Sequence, residues 1–213
     1  MSGTNENDAT PLPDTSREKT SYGNNNSGAL APTGGKPESF GLELLKIVLF
    51  AVIIVVPIRL FIAQPFVVSG ASMEPTFESS EYLIVDQLSY RFEKPERGDV
   101  IIFRFPLDPS KFFIKRIIGL PGETVMLEGK TVTIRNSEYP DGWVLDEAYV
   151  SPKNLDDNTL SVTLDSDEYF VLGDNRRESS DSRSWGTLNE RHIIGRAIVR
   201  LFPITHFDIL PGT

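Results

Sequence analysis

Residues 112–123 read Phe-Phe-Ile-Lys-Arg-Ile-Ile-Gly-Leu-Pro-Gly-Glu, a run of β-strand character that ends at a Leu-Pro-Gly turn. Lys115 lies in one of the most apolar neighbourhoods of the chain. Burial disfavours an ammonium ion, and lowering the pKa of a lysine from about 10.4 to about 7.5 takes about 4 kcal/mol of differential solvation. The segment alone is compatible with a neutral, basic lysine and with an edge-strand lysine whose amine is in water. Arg116 would point to the opposite face of the strand and stay charged.

Similar short apolar runs surround this segment and predict a mainly β structure. The predicted strands are residues 82–88, 99–105, 112–118, 124–127, 131–135, 169–172 and 193–202. Gly and Pro between these runs mark turns, and no apolar segment here is long and helically periodic enough for a helix. The sequence therefore predicts a single β-domain over residues 64–213.

The stretch before this domain has a different composition. Residues 47–58 are wholly apolar, and the run continues to Ala63 with Arg59 as its only interruption. A helix of about 17 residues spans about 25 Å, roughly enough to cross the hydrocarbon layer of a membrane. A buried core helix is the alternative. We predict an uncleaved transmembrane signal-anchor helix over residues 40–63.

The flanks of this helix predict its orientation. Residues 1–39 are poor in apolar side chains and rich in Asn, Gly and Pro, which is typical of a disordered tail. Lys36 and Lys46 precede the apolar run, whereas the next basic residue after Arg59 is Arg91. The positive-inside rule then places the tail in the cytoplasm and the β-domain on the extracytoplasmic face.

Composition excludes several classes of function. Among the 213 residues there is no cysteine, so disulfides, zinc fingers and thiol nucleophiles are excluded. A formal net charge of -9 argues against nucleic acid as a partner. The two histidines, His192 and His206, are predicted to be partly buried and structural. No metal site is predicted, because Asp165-Ser166-Asp167 lacks the glycine and distal glutamate of a calcium loop.

Two further segments carry candidate chemistry. In residues 68–76, Ser72 lies between Gly70, which permits close backbone approach, and Pro75, which fixes the chain, although an ordinary turn would look the same. Residues 173–186 follow an apolar strand and are dense in hydroxyl, acidic and arginine side chains. Such a run occurs in ordinary polar loops and also around active sites.

Together and in this order, the motifs resemble those of bacterial type I signal peptidases, membrane-anchored Ser/Lys proteases. The resemblance covers residues 40–203 and rests on SGASMEPT, RGDVIIF, FIKRIIGLPGE, GDNRRESSDSRSWG and GRAIVRLFP. It implies a signal-peptidase/LexA-like β-fold for the catalytic domain. A self-cleaving LexA-like repressor is an alternative interpretation, but such repressors carry a DNA-binding module where this chain has an apolar span. A non-enzymatic, anchored binding domain is a second rival.

The resemblance implies a role for each matching residue. Ser72 matches the nucleophile, Lys115 the general base and Ser179 the serine that orients the lysine. The residues that match the charged groups bracing the site are Asp174, Arg116, Asp181 and Arg183. Gly70 departs from the pattern of those members that have a serine there, whose hydroxyl joins the oxyanion hole. No cofactor is implied.

The resemblance also implies the partners of the protein. Its substrates would be preproteins whose signal peptides end in an A-x-A-like site, bound as an added β-strand with small side chains at −1 and −3. The protein would be a single-pass protein of the cytoplasmic membrane, in contact with lipid, and a monomer. Residues 66–70 are the place where the substrate pockets are expected.

Overall fold

The computed structural model describes residues 40–57, 63–155 and 157–212. It contains helix α1 (Phe40–Pro57) and, much later, the single-turn helix α2 (Ser182–Trp185). The strands are β1 (Ala63–Val67), β2 (Tyr82–Asp86), β3 (Val100–Arg104), β4 (Phe112–Gly119), β5 (Thr124–Gly129), β6 (Thr131–Arg135), β7 (Trp143–Val144), β8 (Asn158–Thr163), β9 (Glu168–Leu172), β10 (Leu188–Asn189), β11 (Ile193–Phe202) and β12 (Asp208–Ile209).

The strands form two antiparallel sheets. The large sheet has the order β1-β2-β11-β3-β4-β9-β10, with β12 added beside β11, and the small sheet has the order β7-β6-β5-β8. β4 is central to the large sheet, where Lys115 is opposite Ile101 of β3 and Arg116 is opposite Val100. Because successive residues of a strand face opposite sides, these two cations have different surroundings.

Three clusters of apolar side chains form the core. One contains Met73, Phe77 and Val85, and packs the turn after β1 against the large sheet. Another, with Ile101, Ile117 and Val171, lies among β3, β4 and β9. The third, with Ile118, Val125 and Phe170, joins the large sheet to the small one. The end of β4 is thereby fixed from several sides.

The prediction of a mainly β domain is confirmed. Each of the seven predicted strands overlaps an observed one, within a few residues at each end. Five strands were missed, namely β1, β7, β8, β10 and β12. β8 carries only two apolar side chains, Leu160 and Val162, among polar ones, which is a weak signal.

The N-terminal helix differs from its predicted bounds. α1 ends at Pro57, and Ala63, which the prediction included in the helix, is the first residue of β1. Residues 63–67 pair with residues 82–86 of β2, so their backbone groups are satisfied in a sheet. Residues 58–62 and the predicted disordered tail, residues 1–39, lie outside the described residues.

One prediction about the histidines is wrong. His192 is partly buried, as predicted, but the side chain of His206 is 49% exposed. His206 lies in a short helical turn before β12, and its Nδ1 lies 3.5 Å from Oε1 of buried Glu81. His206 is therefore an exposed histidine beside a buried carboxylate and does not lie in a core environment.

Candidate active site

Ser72 and Lys115 lie together although 43 residues separate them in the chain. Nζ of Lys115 lies 2.7 Å from Oγ of Ser72 and donates a second hydrogen bond of 2.8 Å to the carbonyl of Ile114. Lys115 is only 3% exposed, so its amine is buried. An ordinary edge-strand lysine would have its amine in water. This geometry places a buried amine within proton-transfer distance of a hydroxyl.

Burial lowers the pKa of Lys115 from 10.5 to about 8. The carboxylates of Asp181 and Asp174 act in the opposite direction, and Arg183 adds to the lowering. Each carboxylate has its own arginine, since Asp181 pairs with Arg183 and Asp174 with Arg116. Lys115 is thereby left without an ion-pair partner of its own among the described residues, and a substantial fraction of it is neutral near pH 8.

The turn that carries Ser72 is fixed by its own backbone and by the core. The N–H of Phe77 donates to the carbonyl of Met73 at 3.0 Å, and both side chains are buried. The carbonyl of Ser72 accepts a 3.0 Å hydrogen bond from the N–H of Asn175, which ties the turn to the loop after β9. The backbone that follows the Ser72 side chain is therefore fixed within the turn and tied to the loop after β9.

Arg116 and Asp174 form a buried pair behind the site. Nε of Arg116 donates to Oδ1 of Asp174 at 2.9 Å, and one terminal nitrogen lies 2.6 Å from Oδ2. The other terminal nitrogen donates to the carbonyls of Gly98 and Gly212. Oγ1 of Thr76 also donates to Oδ2 of Asp174. This pair joins β4, the Ser72 turn and the loop after β9.

Asp181 and Arg183 organise the loop of residues 173–186. The carboxylate of Asp181 accepts hydrogen bonds from Nε of Arg183 at 2.7 Å and from the N–H of Gly173 at 3.1 Å. It also caps α2 by accepting from the N–H of Arg183. A terminal nitrogen of Arg183 donates to the carbonyl of Arg176 at 2.6 Å. The loop is consequently a rigid element rather than an ordinary polar connection.

Ser179 does not make the hydrogen bond to Lys115 that the resemblance implies. Its Oγ is buried and has no hydrogen-bond partner in the described part of the chain, whereas Lys115 donates to Ser72 and Ile114. Ser179 packs instead beside Gly173, where an added Cβ would lie 2.3 Å from Oγ of Ser179 and 2.4 Å from the carbonyl oxygen of Ser72. Only glycine fits at position 173, and the role of Ser179 stays a prediction.

Gly70 lies at the entrance of the Ser72 turn with a positive φ of 95°. Such backbone geometry favours glycine. A Cβ at this position would meet no atom within 4 Å, so the space beside the Gly70 backbone is open. The position supplies no hydroxyl.

A groove of about 470 Å³ leads to Ser72 and Lys115. Residues 66–72 form one wall, as expected from the sequence, and residues 111–115 form the other, with Leu83 and Ile102 also lining it. β1 is an edge strand, and in the part of the chain that the structure describes β9 pairs with β4 only from Arg116 onward. Both walls therefore present strand edges to the groove.

Comparison with known proteins agrees with the predicted family. A family profile described as signal peptidase, peptidase S26, matches residues 41–202. The chain belongs to the signal peptidase family. Membership confirms the predicted enzyme class, a serine endopeptidase.

The relatives are similar over most of their length. A signal peptidase I of Leptolyngbya laminosa is 40% identical, over 82% of this chain and 86% of its own. A probable signal peptidase I-2 of Synechocystis sp. is 39% identical, over 82% of this chain and 79% of its own. The solved structure of a signal peptidase I of Enterococcus faecalis is 37% identical, covering 49% of this chain and 97% of its own, with a TM-score of 0.41.

Several residues around the site were not singled out from the sequence. Thr76 and Arg176 lie inside the motifs, and their hydroxyl and guanidinium groups were signals that could have been used. Glu147, Tyr149 and Asn154 lie between the motifs and carry no local signal, yet they contact the segments that hold the candidate site. Among the described residues no group of three or more His, Asp and Glu side chains could hold a metal ion.

Proposed function

We propose that this protein is a membrane-anchored serine endopeptidase that removes signal peptides from secreted preproteins by Ser/Lys acyl transfer. Membership of the signal peptidase family supports the removal of signal peptides. The observation that carries the proposed mechanism is the 2.7 Å distance between Oγ of Ser72 and Nζ of Lys115, in a setting that lowers the pKa of the lysine to about 8.

In the first half of the reaction, neutral Lys115 takes the proton of the Ser72 hydroxyl, and Oγ attacks the scissile carbonyl carbon. The tetrahedral intermediate collapses with cleavage of the C–N bond. The Lys115 ammonium gives its proton to the leaving amine, which becomes the N-terminus of the mature protein. The signal peptide remains bound to Ser72 as an ester.

In the second half, Lys115 takes a proton from water, and the resulting hydroxide attacks the ester carbonyl. Collapse breaks the ester C–O bond and releases the signal peptide as a carboxylic acid, which loses its proton to solvent, while the Lys115 ammonium returns its proton to Oγ of Ser72. Negative charge on the carbonyl oxygen needs a donor in both halves. The backbone N–H of Ser72 is the donor we assign, because Gly70 has no hydroxyl.

The groove suits an extended peptide. A substrate strand between residues 66–70 and 112–115 would satisfy the strand edges on both walls. The walls near Ser72 carry the side chains of Val68, Ile102 and Ile114, which leaves limited space and favours small residues at −1 and −3. An A-x-A-like site meets that requirement.

α1 is the proposed membrane anchor. It is the one helix in the described residues that is long and apolar enough to cross a membrane, and none of its residues is buried within the protein. Two lysines lie at the N-terminal side of the apolar run, Lys36 before α1 and Lys46 within it. By the positive-inside rule they favour a cytoplasmic N-terminus, with the catalytic domain on the extracytoplasmic face. Anchoring would raise the effective concentration of membrane-held signal peptides.

The test is cleavage of a preprotein with an A-x-A signal by the detergent-solubilised full chain. Wild type should cleave at the predicted bond, whereas Ser72→Ala and Lys115→Ala should lose activity by about 10³-fold or more. Ser137→Ala, an exposed serine outside the groove, is the matched control and should retain activity. If folded wild type does not cleave the preprotein, the hypothesis of a non-enzymatic, anchored binding domain is favoured.

A further inference from the structure

The connection between β7 and β8 leaves the small sheet and packs against the catalytic segments. We define residues 145–155 as the brace loop. Residues 147, 149 and 154 of this loop contact, respectively, the loop after β9, β4 and the Ser72 turn. None of the three lines the catalytic groove, so they can act on the reaction only through the residues they hold.

The first contact is on Arg116, the neighbour of Lys115. The guanidinium of Arg116 stacks on the ring of Tyr149, with Cζ 4.0 Å from the ring centre. The Tyr149 hydroxyl donates to Oε1 of Glu147 at 3.1 Å, which orients the ring. The planar cation is therefore held on its face by Tyr149 and at its edge by Asp174.

The second contact is on Arg176, in the loop that follows β9. The carboxylate of Glu147 accepts hydrogen bonds from both terminal nitrogens of Arg176, and the two side chains are nearly buried. Nε of Arg176 donates at 3.0 Å to the carbonyl of Gly173, the residue packed against Ser72 and Ser179. A forked, charge-assisted pair of this kind fixes orientation as well as distance.

The third contact is on the nucleophile turn itself. Nδ2 of Asn154 donates at 2.8 Å to the carbonyl of Glu74, two residues after Ser72. The two partners are 80 residues apart in the chain, so the bond is a tertiary contact between the brace loop and the turn.

From these contacts we infer that the brace loop positions the Ser72–Lys115 pair, with Glu147 and Asn154 as positioning residues. The inference rests on the proposed function, because positioning matters only if these two groups react. All three catalytic segments receive a contact from one loop, so a shift of the loop would move the segments relative to one another. A displacement of about 1 Å between reacting groups can cost about 100-fold in rate.

The variants for the test are Asn154→Ala, Glu147→Gln and Glu147→Asp, and the control is Lys153→Ala, an exposed residue of the same loop. Each full-length protein is assayed for kcat, KM and melting temperature in detergent. We expect kcat to fall about tenfold or more in Asn154→Ala and Glu147→Gln with KM within about twofold, and Glu147→Asp to recover part of the loss. Lys153→Ala should match wild type.

A purely structural role would give a different pattern. If kcat of Asn154→Ala stays within about twofold of wild type, or falls no further than in Lys153→Ala, the inference is overturned. The same holds if activity is lost only at temperatures where the variant unfolds.

Hydrogen exchange separates this inference from the proposed function. Amides of residues 72–77 should exchange faster in Asn154→Ala than in Lys153→Ala, whether or not the protein cleaves a preprotein. Unchanged exchange would overturn the brace, whereas an inactive wild type with faster exchange in Asn154→Ala would overturn only the proposed function.

Discussion

Lys115 and Arg116 are adjacent cations on β4, both nearly buried, and their surroundings differ in one essential respect. Arg116, 1% exposed, has a carboxylate in forked contact, two carbonyls and an aromatic ring. Lys115, 3% exposed, has a hydroxyl, one carbonyl and the ring of Phe113, whose centre is 5.4 Å from Nζ, but no paired carboxylate among the described residues. The carboxylate of Asp174 compensates the buried charge of Arg116, whereas no paired carboxylate in the part of the chain that the structure describes compensates a charge on Lys115.

The difference shows how one strand can carry both a charged structural side chain, Arg116, and a candidate base, Lys115. A buried cation with a complete set of partners stays charged and holds its neighbours in place. A buried cation without a carboxylate partner loses part of its affinity for a proton, which lowers the pKa of Lys115 to about 8. The two environments are separate because successive side chains of a strand alternate, so residues 115 and 116 face opposite sides of the sheet.

The largest effect is expected when the partner of Arg116 is removed. Asp174→Ala leaves a buried guanidinium without its carboxylate, and the free energy of unfolding should fall by about 3–5 kcal/mol. Thermal unfolding followed by circular dichroism in detergent measures this loss.

Asp108→Ala is the control, because it breaks an exposed ion pair with Lys111 and should leave the melting temperature nearly unchanged. Equal melting temperatures for Asp174→Ala and Asp108→Ala would show that Arg116 does not need a compensating charge.

At Lys115, removal of the side chain is expected to raise the free energy of unfolding instead of lowering it. Its lowered pKa means that the unfolded chain binds the proton more tightly, so protonation opposes folding below about pH 8, and stability rises between about pH 8 and 10.5. Lys115→Met removes this cost, and it should stabilise the protein at pH 7 by up to about 3 kcal/mol while abolishing activity.

Unfolding of wild type and Lys115→Met at pH 7 and pH 10 checks this prediction. The gain should shrink as the pH rises from 7 to 10, because the folded wild-type lysine is then neutral while the unfolded chain still binds the proton, which stabilises wild type. A variant less stable than wild type at pH 7 would mean that the buried lysine carries no net cost.

A smaller effect is expected from Ser179→Ala. The hydroxyl is buried beside the Ser72 carbonyl and unpaired among the described residues, so its removal should not destabilise the fold. If it orients Lys115 during turnover, kcat should fall about tenfold, which corresponds to about one hydrogen bond. Steady-state kinetics of preprotein cleavage measure this change, and an unchanged kcat would remove Ser179 from the site.

Much of the fold was predictable because its signals are local. The seven predicted strands are apolar runs between turn residues, and they appear at those positions. β1 was not predicted, since its sequence, Ala-Gln-Pro-Phe-Val, continues an apolar run and contains a proline. The end of α1 was missed for the same reason, because the composition does not change where the helix gives way to the strand.

The site was predictable only in part. Motifs placed Ser72, Lys115, Asp174 and Asp181 near one another, and the structure brings them together. Sequence reasoning could not find Asn154 or Glu147, because their partners are 80 and 29 residues away and neither lies in a recognisable motif. The absence of a hydrogen bond between Ser179 and Lys115 depends on how the loop after β9 places the Ser179 hydroxyl, which no sequence pattern specifies.

The pH dependence of kcat/KM for preprotein cleavage tests the central claim most directly, because it reports the protonation of the base in the free enzyme. The claim is that burial without a paired carboxylate makes Lys115 a neutral base. Activity of wild type should fall on the acid side with a midpoint near pH 8, about tenfold per pH unit below it. A flat profile from pH 6 to 9, or a midpoint near 10.5, the ordinary lysine value, would contradict it.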